Sequence, residues 1–225
     1  MSEHVRCCID YPVGAGMPSW ATALEQKLWP NGHRLRVRFL GGDDAARAIV
    51  ERYAPLWSEH ANITLLFDGH PDAEIRISFV GGGSWSTVGV DCLDVPPEEP
   101  TMNYGWLRPG LSPEEARGVV LHEFGHALGL IHEHQSPAGG IPWNREAIYK
   151  KLSGSPNFWD RKTIDHNMFE TYAKDQTRYT NVDRHSIMMY PIDSSWVTDP
   201  RYAVDFNSGL SELDRSFIAQ IYPRH

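Results

Sequence analysis

One stretch of eleven residues constrains the chain more than any other feature: residues 122–132 read HEFGHALGLIH. Four residues of an α-helix span about 400°, so His122 and His126 lie one turn apart on the same face, where both can bind one metal ion. Glu123 lies beside them on the helix. The spacing therefore predicts a helix that carries two metal ligands and a carboxylate.

The third histidine of this stretch requires the helix to end. In a continued helix His132 would lie about 600° beyond His126, on the far side of the axis. Gly129 is placed to end the helix, because glycine enters the left-handed conformation without a side-chain penalty. Three neutral imidazoles leave one zinc position open for water, as in catalytic sites. We predict one catalytic Zn²⁺ ion bound by these histidines, with Glu123 as the general base that takes a proton from the water.

This segment resembles the extended zinc signature of the metzincin metalloendopeptidases, and two further features are similar to the astacin family. Glu133 follows the third histidine, and residues 186–190 read SIMMY, where the methionine turn of astacins usually reads SIMHY. Met189 stands in place of that histidine. The resemblance implies that Met188 lies beneath the zinc site and that Tyr190 is an additional zinc ligand or a transition-state donor. The alternatives are core packing for the methionine and a phenol bonded elsewhere for the tyrosine.

The resemblance covers the chain from about Trp29 to Pro223 and implies a zinc-dependent endopeptidase acting on proteins or peptides. Two other interpretations stay open: a catalytically silent zinc-binding or interaction module, and a zinc hydrolase of a non-peptide amide. The presence of Glu123 disfavours the silent module, because an inactive relative can lose this carboxylate and keep the metal. For the amide hydrolase the sequence offers no recognition feature of its own.

The fold class implied is α+β, a zincin fold of the metzincin type. We expect an N-terminal extension over residues 1–28 and a catalytic domain over residues 29–225, divided into lobes 29–132 and 133–225. The first lobe contains a twisted mixed β-sheet and two helices, one of them the active-site helix. The second lobe is irregular and ends in a helix.

Local patterns place these elements along the first lobe. Apolar alternation and β-rich composition predict strands over residues 35–39, 63–67, 75–80 and 101–107. A helix over residues 45–58, bent or ended at Pro55, joins the first two strands and favours a parallel pair. Ser112, Pro113 and Glu115 predict the start of the active-site helix with a capping box.

The second lobe has weaker periodicity. A helix is predicted over residues 145–152 and a final helix after Ser211, whereas residues 154–183 are polar and aromatic and are predicted to be rich in loops. Trp159 is expected to pack a small core. His134 is a weaker candidate for a metal ligand than His132, which has the family spacing.

A glycine-rich run precedes one further candidate site. In metzincins the corresponding edge strand bounds the active-site cleft and pairs with the peptide substrate. The resemblance therefore implies that Gly83, Ser84 and Trp85 bind substrate by strand addition. A flexible loop is the alternative, since glycine runs are mostly loops.

Composition limits the partners and the compartment. The chain has 225 residues and a net charge of −8, which opposes binding to nucleic acid or to anionic membranes. No apolar run approaches the length of a membrane span, and residues 1–10 lack the features of a signal peptide. We expect a monomer that is cytoplasmic, exported by a non-Sec route, or secreted as a mature form. Cys7, Cys8 and Cys92 cannot make a disulfide framework, unlike the two disulfides general in secreted astacins.

Overall fold

The structure is a computed structural model, and it describes residues 9–10, 27–107, 110–136, 140–155, 157–171 and 182–224. Cys7, Cys8 and most of the extension predicted over residues 1–28 lie outside the described residues. Cys92 is a buried free cysteine, and burial raises the pKa of its thiol to about 12.

A mixed sheet forms the centre of the N-terminal half. Within the described residues it has six strands in the order β1-β5-β6-β4-β2-β3. The strands are β1 (Ile9–Asp10), β2 (Arg34–Phe39), β3 (Thr64–Leu66), β4 (Ile75–Ser78), β5 (Ser84–Ser86) and β6 (Met102–Tyr104). Strand β2 pairs in parallel with both β3 and β4, and β4 pairs in parallel with β6. The predicted strands and the parallel pairing of the first two are confirmed, although each strand except β2 is shorter than predicted.

Strand β5 is the antiparallel member of the sheet. It pairs with β6 in antiparallel register, Trp85 opposite Asn103. On its other side it pairs in parallel with β1, Ile9 opposite Trp85 and Asp10 opposite Ser86. Two residues of the N-terminal extension therefore belong to the sheet.

The helices begin where polar side chains cap them. They are α1 (Asp44–Tyr53), α2 (Pro113–Ala127), α3 (Arg145–Leu152), α4 (Arg161–Ile164) and α5 (Glu212–Ile221). Helix α1 passes into a 3-10 turn over Ala54–Glu59, with Pro55 at its start, which confirms the predicted change. The capping box of α2 is present as predicted. In the described part of the chain no helix combines the length and the hydrophobicity needed to cross a membrane.

The prediction of loops over residues 154–183 is wrong for residues 161–169. Helix α4 runs directly into a π-helical turn over Asp165–Phe169. Asp160 starts this segment by accepting a hydrogen bond from Thr163 N at 2.7 Å. The segment is too short for apolar residues to repeat at helical spacing, so periodicity does not reveal it.

Two apolar cores meet at the methionine turn. The first lies between the sheet and helices α1 and α2, and it also includes Ile218 and Tyr222 near the C-terminus. The second lies in the C-terminal half and contains Trp159, as predicted. Met188 belongs to the first core, whereas its neighbours Met189 and Tyr190 belong to the second.

Candidate active site

Helix α2 carries two of the three histidines and is held in place by buried side chains. Trp57 Nε1 donates to Leu121 O at 2.9 Å, and Tyr104 Oη donates to Val120 O at 3.1 Å. Burial, and secondarily the charge of Glu123, raises the pKa of Tyr104 well above its ordinary value. The phenol therefore stays protonated and keeps its role as a donor. These contacts fix the main chain of the helix just before the first histidine.

The chain turns sharply after α2. Gly129 has a φ of 92°, in the left-handed region. Its N–H donates to His126 O at 2.8 Å, and the next amide, Leu130 N, donates to Gly125 O at 2.9 Å. A Cβ at Gly129 would lie 2.8 Å from Leu28 Cδ2. The turn reverses the chain and brings His132 to the other two histidines.

The three imidazoles converge on one point. His122, His126 and His132 each offer one ring nitrogen, and these atoms lie within 4.8 Å of one another. The Nε2 atoms of His126 and His132 are 3.1 Å apart. Two nitrogen ligands of a tetrahedral zinc ion, with bonds of about 2.0–2.1 Å, lie about 3.3 Å apart. The spacing fits a zinc ion.

Hydrogen bonds fix the protonation of the two histidines on the helix. His122 Nδ1 lies 2.7 Å from Ile187 O, and His126 Nδ1 lies 2.8 Å from Leu130 O. A carbonyl oxygen only accepts, so each Nδ1 carries the proton and donates it. In the neutral ring the Nε2 atom then presents a lone pair, as zinc requires.

His132 is fixed in the same way, but by a side chain. Its Nδ1 lies 3.2 Å from Gln135 Oε1, while Gln135 Nε2 donates to His166 O at 2.8 Å. Because the amide nitrogen must face the carbonyl, the amide oxygen faces His132 and accepts its proton. With Nδ1 protonated in both neutral rings, the contact between His126 Nε2 and His132 Nε2 joins two lone pairs. It is therefore not a hydrogen bond, and the two atoms are placed to bind the same cation.

Glu123 and Tyr190 lie beside this triad. Both are buried, 1% and 2% exposed, and both line one pocket together with His122. The ring centroid of Tyr190 lies 4.2 Å from that of His132. Tyr190 also stacks on His134, with ring centroids 4.5 Å apart and an interplanar angle of 29°, and the centroids of His132 and His134 are themselves 5.3 Å apart.

The same pocket is otherwise largely apolar. Its lining also contains Trp106, Gly118, Val119, Ile187, Met189, Pro191, Phe206 and Asn207. A Cβ at Gly118 would lie 2.5 Å from Phe206 Cζ, so the glycine allows the phenylalanine to approach the helix. Among the described residues that line the pocket there is no lysine or arginine. The described part of the lining therefore suits an apolar side chain.

The predicted substrate-binding residues lie at strand β5, between β1 and β6 in the described sheet, and outside the set that lines the pocket. Ser84 and Trp85 belong to β5, and Gly83 precedes it. Asn103 Nδ2 donates to Gly83 O at 2.6 Å, which fixes the start of the strand. Ser84 and Trp85 therefore lie in an ordered strand.

Met188 lies under α2. A Cβ at Gly125 would overlap its Sδ atom. The peptide before it is held by Asp214, which accepts from Ile187 N at 2.8 Å and from Ser186 Oγ at 2.7 Å. Burial raises the pKa of Asp214 above its ordinary value.

Sequence reasoning missed two functional supports, Gln135 and Asp214. Asp214 is recognisable as part of a capping box with Ser211, but its bond to the methionine turn joins residues 27 apart. Gln135 reaches His166 across 31 residues. Spacing along the chain gives no signal for either contact.

Glu133 takes a structural position. Its Oε1 accepts from Asp183 N at 2.9 Å, and its own N–H donates to Met188 O at 3.0 Å. Burial raises the pKa of Glu133 to about 7. The residue thus connects the third histidine to the methionine turn.

The mixed sheet with one antiparallel strand, and the histidine triad on helix α2 and after its terminal turn, define a zinc metalloprotease of the metzincin class. No family model matches the chain. Myroilysin is similar over nearly its whole length, with 43% identity, coverage of 90% of this chain and 98% of that one, and a TM-score of 0.86. This chain belongs to the astacin family of zinc metalloendopeptidases.

Three less similar proteins also match this chain. High choriolytic enzyme 1 is a hatching enzyme zinc-protease from Oryzias latipes (medaka fish). Its structure is 17% identical in sequence, covers 94% of this chain and 100% of that chain, and has a TM-score of 0.62. This similarity shows a shared fold. Zinc metalloproteinase nas-30 of Caenorhabditis elegans is 30% identical over 100 residues, 44% of this chain. Tolloid-like protein 1 of Homo sapiens is 25% identical over 131 residues, 54% of this chain. The matches span only 12% and 11% of these two relatives.

Proposed function

We propose that this chain hydrolyses internal peptide bonds of proteins or peptides, with one zinc ion held by His122, His126 and His132. The observation that carries the proposal is the set of three Nδ1 atoms that all face oxygen acceptors, because it directs three Nε2 lone pairs to one point. A bound zinc ion supplies Lewis acidity, which lowers the pKa of a coordinated water to about 7 and polarises the substrate carbonyl.

Glu123 moves the proton. Its carboxylate takes a proton from the attacking water as the water oxygen forms a bond to the carbonyl carbon. The same proton then passes to the amide nitrogen as the carbon–nitrogen bond breaks, so the leaving group departs as a neutral amine. Burial of Glu123 keeps bulk water from taking that proton between the two steps.

Tyr190 stabilises the negative oxygen that forms on the attacked carbonyl. Its ring contacts the rings of both His132 and His134, so the phenol is oriented before substrate binds. A preorganised donor of this kind contributes most where charge develops during the reaction. Tyr190→Phe keeps the ring contacts and removes only the hydroxyl, which makes it the matched variant for this role.

The apolar pocket selects one substrate side chain. Glu123 lines the pocket and delivers its proton to the leaving nitrogen, so the residue that carries this nitrogen lies at the pocket. We therefore expect cleavage before apolar residues. The substrate backbone pairs with β5 near Gly83, Ser84 and Trp85. Strand β1 pairs with the same side of β5 at Trp85 and Ser86, so the substrate strand takes the place of this segment when it binds.

Digestion of an unbiased peptide mixture by wild type and by Glu123→Gln tests the proposal, with zinc measured in both preparations. We expect wild type to cut and the variant to lose roughly 100- to 10,000-fold in rate with the same zinc content. Equal cutting by both would contradict the role of Glu123. A zinc-loaded wild type that cuts no peptide would instead favour a silent zinc-binding module or a hydrolase of another amide.

A further inference from the structure

Each ligand histidine has an outer partner, but the partners differ in kind. His122 and His126 donate to the main-chain carbonyls of Ile187 and Leu130. His132 donates to Gln135 Oε1. Among the described contacts of the three Nδ1 atoms, this is the one made by a side chain, and so the one that a substitution can remove directly.

Gln135 is held rigidly enough to impose an orientation. It is 2% exposed and lies at the end of a single 3-10 turn, Glu133–Gln135, directly after His132. Its amide nitrogen donates to His166 O, in the π-helical turn over Asp165–Phe169. The amide cannot flip without placing its oxygen against that carbonyl.

The neighbouring residue anchors the same turn at a second point. His134 Nε2 donates to Asn167 O at 2.8 Å, the carbonyl next to that of His166. Two consecutive residues after the third ligand therefore bind two consecutive carbonyls of the π-helical turn. Turns of this kind free carbonyls from regular helical bonding and often occur at functional sites.

We propose that Gln135 is the positioning residue of His132. Its amide oxygen holds the imidazole in the Nδ1–H tautomer and in the orientation that directs Nε2 at the zinc ion, and the π-helical turn holds the amide. The inference rests on the proposed function only for the identity of the metal. The inference is tested by metal affinity, so the result does not depend on whether the chain cleaves peptides.

Two substitutions separate the acceptor from simple packing. Gln135→Met keeps an unbranched side chain of similar length and removes the acceptor. Gln135→Glu keeps an oxygen facing His132 Nδ1 and removes the donor to His166. Ile148→Val is the matched control, because Ile148 is fully buried in the second core and its substitution lowers stability without altering a partner of the triad.

The measurement is zinc affinity of the full chain by competition with a chelator, together with the visible spectrum of the cobalt-substituted protein. We expect Gln135→Met to bind zinc about 10- to 100-fold more weakly and to shift the cobalt bands. We expect Gln135→Glu to lose less than about 10-fold, because it keeps the acceptor for His132 but loses the bond to His166 O, and Ile148→Val to match wild type in both readouts.

Wild-type affinity in Gln135→Met would overturn the inference. So would a loss in Gln135→Glu as large as that in Gln135→Met, since the acceptor would then not be what matters. If Gln135→Met does not fold, Gln135→Glu is compared with wild type alone, and a loss of zinc affinity of about 10-fold or more would overturn the inference. A wild type that binds no zinc would overturn the proposed function and this inference together, whereas zinc binding without peptide cleavage would overturn the proposed function only.

Discussion

The thioether of Met188 occupies the space that a side chain at Gly125 would need. Gly125 lies on α2 between His122 and His126, so the missing Cβ lets the methionine turn pack directly beneath the ligand-bearing turn of the helix. Trp57 closes the same space, with its Cζ2 atom 3.2 Å from the position of a Cβ. The support of the metal site thus depends on the smallest residue in the motif.

Gly125→Ala tests this packing. Alanine favours a helix over glycine by about 1 kcal/mol, but overpacking against Met188 costs about 1–3 kcal/mol, so we expect a net loss of stability. Urea unfolding of Gly125→Ala, of Met188→Ala and of the double variant Gly125→Ala/Met188→Ala measures these changes in stability. The double variant should lose less than the sum of the single losses. A Gly125→Ala protein as stable as wild type would show that the space is not needed.

Phe206→Arg tests the specificity of the pocket. Phe206 is 48% exposed at the pocket, so a guanidinium there can meet an acidic substrate side chain. We expect kcat/KM for peptides with glutamate after the cut to rise about 2- to 5-fold relative to leucine. Tyr202→Arg adds the same charge at an aromatic residue, 38% exposed, outside the lining. An equal rise of this kcat/KM ratio in Phe206→Arg and Tyr202→Arg would contradict the assigned pocket. A wild type that already prefers glutamate after the cut would contradict it as well.

Substrates methylated at single amide nitrogens test strand addition to β5. Alternate amides of a paired strand face its neighbour, so methylation should lower kcat/KM strongly at one set of positions and weakly at the set between them. Loss of one such hydrogen bond costs about 0.5–1.5 kcal/mol before any clash. Uniform effects at successive positions would contradict pairing along Ser84 and Trp85.

Asp214→Asn tests the buried carboxylate that holds the methionine turn. Burial raises the pKa of Asp214, with a smaller contribution from Asp183. The carboxyl group of Asp214 therefore binds its proton more tightly in the folded chain than in the unfolded chain. The protonated group stabilises the fold fully below a pH of about 4, and this stabilisation is lost as the pH rises through the raised pKa. We expect the unfolding free energy of wild type, relative to Asp214→Asn, to fall as pH rises from about 4.

Zinc-loaded proteins unfolded in urea at several pH values provide this comparison. Asp205→Asn removes the same charge at an exposed position. A plot of its unfolding free energy against pH should run parallel to that of wild type. Parallel curves for wild type and Asp214→Asn would show that desolvation of Asp214 does not affect stability in this pH range.

The parts of the fold that sequence predicted are local. The capping box of α2 involves residues three apart, Ser112 and Glu115, and the change of helix at Pro55 follows from the missing amide proton of proline. Two-residue strand β1 and the helical segment over residues 161–169 have no periodic signal because they are too short. The bond between Gln135 and His166 depends on tertiary packing, which spacing along the chain does not encode.

Three Nε2 atoms are proposed to hold one zinc ion in this chain. Anomalous diffraction at the zinc edge from crystals of the zinc-loaded protein tests it most directly. We predict one peak about 2.0–2.1 Å from Nε2 of each of His122, His126 and His132, with Gln135 Oε1 still bonded to His132 Nδ1. A peak elsewhere, or coordination through Nδ1 of any of the three, would contradict the account.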